Sequence, residues 1–232
     1  MLVAQIPSRQ LIRIHADEAS ESWTVVDRLE LPARPICTAY NAMGTRAYVT
    51  MSPSGLAVVD VPTMTLVKTL PTAGDPQCGL FESRDSRTIY VNDNAGSGTF
   101  YALDTTTDEL TDLGYSFGAA DLHGFGLNAQ ESRAFLAARG SEALKVIDLS
   151  MPGSVARTIP LDPTAGPGND RPDIVAVRGN TAYVTLRASG KLAVVRGRAV
   201  AYVDVAPPSA NAIHGIAIRP EHSAGATGEH EH

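Results

Sequence analysis

Charge, cysteine and long apolar runs are all in short supply in this chain of 232 residues. Charged residues make up 19% and the formal net charge is −6, so no basic stripe is available to follow a nucleic-acid backbone. No apolar stretch approaches the length of a membrane span, and no membrane partner is expected. The opening residues, Met1-Leu2-Val3-Ala4-Gln5, have neither the charged start nor the long apolar segment of a secretion signal, so the chain reads as cytoplasmic. Two cysteines are too few for a disulfide framework, and in a reducing compartment they read as thiols or ligands. There is no Gly-x-Ser-x-Gly elbow and no helical His-Glu-x-x-His. The glycine-rich Asn94-Ala95-Gly96-Ser97-Gly98 does not precede a helix, so a phosphate cradle is not expected.

What the chain does have is a repeat. Five segments each open a short apolar strand after a Pro/Gly-rich or polar connection: Pro35-Ile36-Cys37, Pro76-Gln77-Cys78, Asp121-Leu122-His123, Pro172-Asp173-Ile174 and Ala212-Ile213-His214. They recur every 40–50 residues or so, the period of a unit built from several strands. Further strands follow in the first complete unit: Arg46-Ala47-Tyr48-Val49-Thr50, Leu56-Ala57-Val58-Val59-Asp60 and Thr65-Leu66-Val67-Lys68-Thr69-Leu70. These runs are β-branched or aromatic and bounded by Gly, Pro, Ser or Asp. Asp60, Asp104 and Asp148 end the third strand of successive units, where an Asp side chain bonds the backbone two residues on. His15 aligns with them and reads as a surface turn residue. The single tryptophan, Trp23, falls on an outer strand and reads as packing.

Ala47-Tyr48-Val49-Thr50 and Ala182-Tyr183-Val184-Thr185, each followed by a Ser-Gly turn and an Ala-Val-Val strand, resemble the YVTN-type β-propeller repeat. That family is related in form to lactonase-like and WD40-like propellers. The resemblance implies an all-β propeller fold, and members of that family commonly have more blades; four complete units and one split between the two ends make a single five-bladed β-propeller over residues 1–220. The blades are expected at 36–75, 76–121, 122–170 and 171–211, with a composite blade from 212–220 and 1–34. In this arrangement residues 213–219 pair with residues 2–4 and close the ring, removing two open sheet edges. Residues 221–232 are read as a flexible tail.

In a propeller the first strand of each blade lines the axis, so its opening residues lie near one mouth of the channel. Cys37, Cys78, His123 and His214 would then face a common centre, with Ile174 leaving one side apolar. Two thiolates and two imidazoles suit zinc or copper, and Met51 nearby would add a thioether that favours copper. The loops after the second strands bring Asp93, Arg139 and Arg187 to the same mouth. Asp93 is read as a base or as a carboxylate orienting a histidine, and the two arginines as a clamp for an anionic substrate. Inert buried thiols and a Cys37–Cys78 bridge remain open alternatives.

These residues point to a small metalloenzyme with one transition-metal ion, copper ahead of zinc, acting on a small, possibly anionic molecule, with oxidation favoured. A non-catalytic scaffold propeller and a lyase resembling the streptogramin-lyase propellers are the alternatives.

Overall fold

A computed structural model describes residues 1–76, 79–94, 96–118, 121–161, 171–207, 213 and 215–218. The chain is all-β there, with one short 3₁₀ turn at Arg139–Ser141. Its strands form five antiparallel sheets in sequence order. The first holds β1 (Leu2–Gln5), β2 (Gln10–Asp17) and β3 (Ser22–Glu30). The second holds β4 (Arg34–Tyr40), β5 (Arg46–Ser52), β6 (Leu56–Asp60) and β7 (Thr65–Leu70). The third holds β8 (Leu80–Glu82), β9 (Thr88–Asp93), β10 (Thr99–Asp104) and β11 (Glu109–Asp112). The fourth holds β12 (Leu122–Leu127), β13 (Arg133–Ala138), β14 (Ala143–Asp148) and β15 (Arg157–Pro160). The fifth holds β16 (Pro172–Arg178), β17 (Thr181–Leu186), β18 (Lys191–Arg196) and β19 (Ala199–Asp204).

The inner strands touch in succession, β1 with β4, β4 with β8, β8 with β12 and β12 with β16, so the sheets stand side by side as blades. The middle strands are buried on both faces, which is why they read as continuous apolar runs. In β13, Ala134, Leu136 and Ala138 face the third blade, whereas Phe135 and Ala137 face the fifth. Successive side chains of a strand point to opposite faces, so one strand feeds two interfaces. Four apolar clusters result, one at each boundary between consecutive blades.

Polar contacts fix the register of neighbouring blades. The Tyr48 hydroxyl, fully buried in the second blade, donates to the Asp108 carboxylate of the third at 2.6 Å. Burial, with that carboxylate beside it, raises the phenol well above the usual tyrosine range. Tyr115 donates to the Asp148 carbonyl across the next boundary at 2.7 Å.

The turn aspartates behave as expected. Asp60, Asp104 and Asp148 accept from Thr63, Thr106 and Ser150, and these hydrogen bonds hold their carboxyls below the usual range. In the first blade that work falls to Asp17, which accepts from Ala19 and Ser20. His15 lies inside β2, opposite Thr24 of β3, because the pairing of the two strands continues to Asp17 and Ser22 and the turn follows there. Trp23 is 65% exposed, so the packing role expected for it is not what the structure places there.

Pairing of 213–219 with β1 is not described. Ile213 and residues 215–218 lie outside regular strand, and His214, Arg219 and the tail from 221 lie outside the described residues. No helix among the described residues is long and apolar enough to cross a membrane.

One buried charge stands out in the fourth blade. Lys145 is 5% exposed and donates to the Thr158 hydroxyl, with no carboxylate partner among the described residues. Burial lowers its amine below the usual lysine range, because the ammonium is the form that loses solvation. Lys145→Met keeps the length and removes the charge. At neutral pH it should raise stability by about 1 kcal/mol. The gain should shrink as pH rises through the lowered amine's titration, where the wild-type group buries neutral. Chemical denaturation at neutral and alkaline pH measures this, and a destabilised variant would contradict it.

Candidate functional site at the axial mouth

Three of the inner strands, β4, β12 and β16, begin with a bulge. The register shifts between Pro35 and Thr38 in β4, between Leu122 and Phe125 in β12, and between Pro172 and Val175 in β16. A bulge frees backbone donors from the ladder, and the repeat supplies a partner for them. The Cys37 N–H donates to the Thr50 hydroxyl, and the Ile174 N–H to the Thr185 hydroxyl, both at 3.0 Å. These are the threonines of the two Tyr-Val-Thr strands. In the third blade Asn92 stands at that place and its amide reaches the next blade, donating to the His123 carbonyl at 2.7 Å.

The ladders also settle the repeat frame. Pro35, Leu122 and Pro172 precede the bulge, so Ile36, His123 and Asp173 are equivalent, and Cys37 matches Gly124 and Ile174. Cys37 and His123 therefore do not share one position, as spacing had put them; they are one residue apart. The glycine is demanded by close approach. A Cβ on Gly124 would lie 2.8 Å from the Asp173 carbonyl oxygen and 2.9 Å from Ile174 Cα. On Gly79 it would lie 1.3 Å from Asn92 Oδ1. In the sequence Cys78 precedes Gly79 and His214 precedes Gly215, as His123 precedes Gly124.

The group set against His123 is Asp173, its equivalent in the next blade. His123 is 4% exposed and Asp173 has no exposed surface. The imidazole Nδ1 lies 3.1 Å from the Asp173 carbonyl oxygen and 3.3 Å from its carboxylate Oδ1. A carbonyl oxygen only accepts, so the Nδ1 that meets it carries a proton. The same Oδ1 accepts from the Arg139 guanidinium, which crosses from the fourth blade. A buried carboxylate is thus met by an arginine and a histidine at once.

The other expected residues are placed as follows. The Asp93 carboxylate accepts from the Gly74 N–H at 2.9 Å and the Tyr101 hydroxyl at 3.0 Å, tying down the connection into the third blade. Met51 packs in the apolar cluster between the first two blades. The Arg187 N–H donates to the Arg171 carbonyl at 3.3 Å. Cys37 is half-buried. Cys78 and His214 lie outside the described residues, and among those described no three His, Cys, Asp or Glu side chains group to hold a metal. Asp173 was the residue missed from sequence; its only signal was a carboxylate at an otherwise apolar or ligand-type place in the repeat. Two open depressions, about 340 Å³ beside Val146, Met151 and Arg157 and about 410 Å³ beside Lys191, Asp204 and Pro207, lie on outer strands of their blades.

No protein-family profile matches the sequence, and no curated protein resembles it in sequence. Solved structures do resemble it in fold. Hydrazine synthase of Kuenenia stuttgartiensis superposes with a TM-score of 0.67 at 15% identity, over 83% of this chain and 60% of that one. A functionally unknown protein from Desulfotomaculum acetoxidans DSM 771 gives 0.66 at 14% identity, over 90% and 69%. The β-propeller domain of Myceliophteria thermophila Cps50 (Swd1) gives 0.62 at 15%, over 77% and 57%. The chain therefore has a β-propeller fold, and it spans about three fifths of the length of the hydrazine synthase chain.

Removing one partner of the Asp173 cluster leaves buried charge behind. Asp173→Ala should cost about 3–5 kcal/mol, because Arg139 loses its counter-ion. Asp173→Leu combined with Arg139→Met should cost less than Asp173→Ala alone. Equilibrium unfolding of the variants measures both, and additive losses would contradict the coupling.

Proposed function

We propose that the chain is a small metal-dependent propeller enzyme, with one transition-metal ion at the axial mouth and a small anionic molecule as substrate. The observation that carries this reading is the clamp on His123. Its Nδ1 is met by Asp173 at 3.1 and 3.3 Å, and in this proposal Nε2 is the atom that reaches the metal. Metal-binding histidines are held in this way, through the other ring nitrogen. In this proposal Cys78, His123 and His214, each followed by glycine, act as ligands, and Cys37 joins from one residue further along its bulge. Residues 213–219 pair with β1 and close a five-bladed ring, which brings His214 round to the others. Met51, packed between the first two blades, is left out of the set.

Copper would supply electron transfer for an oxidation, and zinc would supply polarisation of a bound oxygen; copper is placed first. Asp173 and Arg139 hold His123, Asp93 holds the neighbouring loop, and Arg187 is the guanidinium offered to substrate.

A scaffold role is the second reading. The outer strand β3 favours it, because Trp23, Val25 and Val26 stand exposed along one edge.

Metal content separates the two. The purified protein should hold one copper or zinc ion, and Cys37→Ser, Cys78→Ser, His123→Ala and His214→Ala should each lose tight binding. Since thiolate and neutral imidazole are the binding forms, retention should fall as pH is lowered. A wild-type protein without tight metal, or four variants that all keep it, would reject the metal centre.

A further inference from the structure

Charge is shared unevenly between the blades. From Ile174 to Val203 the chain has five lysines and arginines and no aspartate or glutamate, although its net charge is −6. Three arginines come together where the fourth blade borders the fifth, at the end of the strands opposite the mouth. Arg133 opens β13, whose far end leads into Arg139, and it alternates with Ala134, so it faces the fifth blade. Arg157 opens β15 and pairs with Val146, which packs in the cluster between these two blades. Arg198 lies in the turn between β18 and β19. Two open depressions share Arg157. One, of about 340 Å³, is lined by Arg133, Val146, Asp148, Met151, Val155 and Arg157. The other, of about 360 Å³, is lined by Arg157, Thr158, Ile159, Pro160 and Arg198.

The acids at this end are engaged elsewhere. Asp148, the cross-strand partner of Arg133, accepts from the Ser150 N–H and hydroxyl. In the second blade the corresponding Arg46 and Asp60 form an ion pair, whereas Arg133 and Asp148 form none. Glu131 accepts from the Arg84 N–H of the third blade. The turns at this end of both blades all lie in the described residues, and among those residues Arg133, Arg157 and Arg198 have no acidic partner. Like charges thus line one shared rim without an anion of the chain to match them. Beside them Met151 is 59% exposed and Val155 78% exposed. We propose that this rim is a docking surface for an acidic peptide segment of a partner protein. Its carboxylates meet Arg133, Arg157 and Arg198, and its apolar side chains cover Met151 and Val155. Charge complementarity sets the sign of the partner. The exposed apolar pair favours a peptide over a nucleic acid, whose affinity comes from phosphates met along a longer basic track. The surface stands apart from the axial mouth and does not depend on a metal there.

Fluorescence anisotropy of a labelled peptide alternating leucine and glutamate, titrated with the full chain at low ionic strength, tests the surface. Saturable binding is expected, weakening as salt is added. Arg157→Ser should weaken it about threefold, and Arg133→Ser, Arg157→Ser and Arg198→Ser together about tenfold or more, as exposed charge pairs are lost. Arg28→Ser, an exposed arginine of the first blade, should leave it unchanged. All three rim arginines are exposed, so the variants should melt with the wild type and lost binding would not be lost folding. The same peptide with glutamine for glutamate should not bind. No binding of the acidic peptide by the wild type, equal affinity in the triple variant, or equal affinity for the glutamine peptide overturns the surface. A single-stranded oligonucleotide bound more tightly than the peptide, with the same dependence on the three arginines, overturns the choice of partner.

Discussion

A carboxylate with no exposed surface holds the inner mouth of this propeller together between its fourth and fifth blades. Asp173 accepts from the Arg139 guanidinium and faces the His123 imidazole, both from the blade before it. Its position depends on the bulge that opens β16, and the bulge depends on the Thr185 hydroxyl, which satisfies the N–H that the ladder drops. Close approach of β12 then requires Gly124, since any Cβ there would press on the Asp173 carbonyl. Each link constrains the next. A polar cluster is high-stakes in such a setting, because a group left unpaired in low dielectric costs more than the bond it would have made.

The same device recurs with altered residues. At the second blade the bulge places Ile36 and Cys37, with Thr50 in the role of Thr185. At the third, Asn92 replaces the threonine and spans the boundary to the His123 carbonyl. The repeat thus keeps the backbone constant and varies the side chain delivered to the axis: apolar, histidine or carboxylate. That is how a propeller separates its scaffold from its chemistry, and why fold likeness at about 15% identity carries no activity with it.

Much of the scaffold was legible in the residues. Alternation and turn chemistry located β6, β7, β9 and β10 closely, since a middle strand buried on both faces writes itself as a run such as Leu56-Ala57-Val58-Val59. The aspartate turns were readable because a short carboxylate after a strand has one local use. The site was less legible for a physical reason. A bulge inserts one residue without changing the surrounding pattern, so spacing alone set Cys37 level with His123, and only the ladder of β4 with β5 and of β12 with β13 separates them. Asp173 was invisible for a related reason. Its partners Arg139 and His123 are 34 and 50 residues away, and nothing local announces them.

The central claim is that Asp173 dictates which nitrogen of His123 carries the proton. Long-range ¹H–¹⁵N correlation of the His123 ring, in protein held above the histidine titration range at about pH 8, reads this directly. The proton should sit on Nδ1 and Nε2 should report as unprotonated, with that preference reduced in Asp173→Asn. A ring protonated on Nε2 in the wild-type protein would contradict the arrangement, because the Asp173 carbonyl oxygen 3.1 Å from Nδ1 has no hydrogen to give.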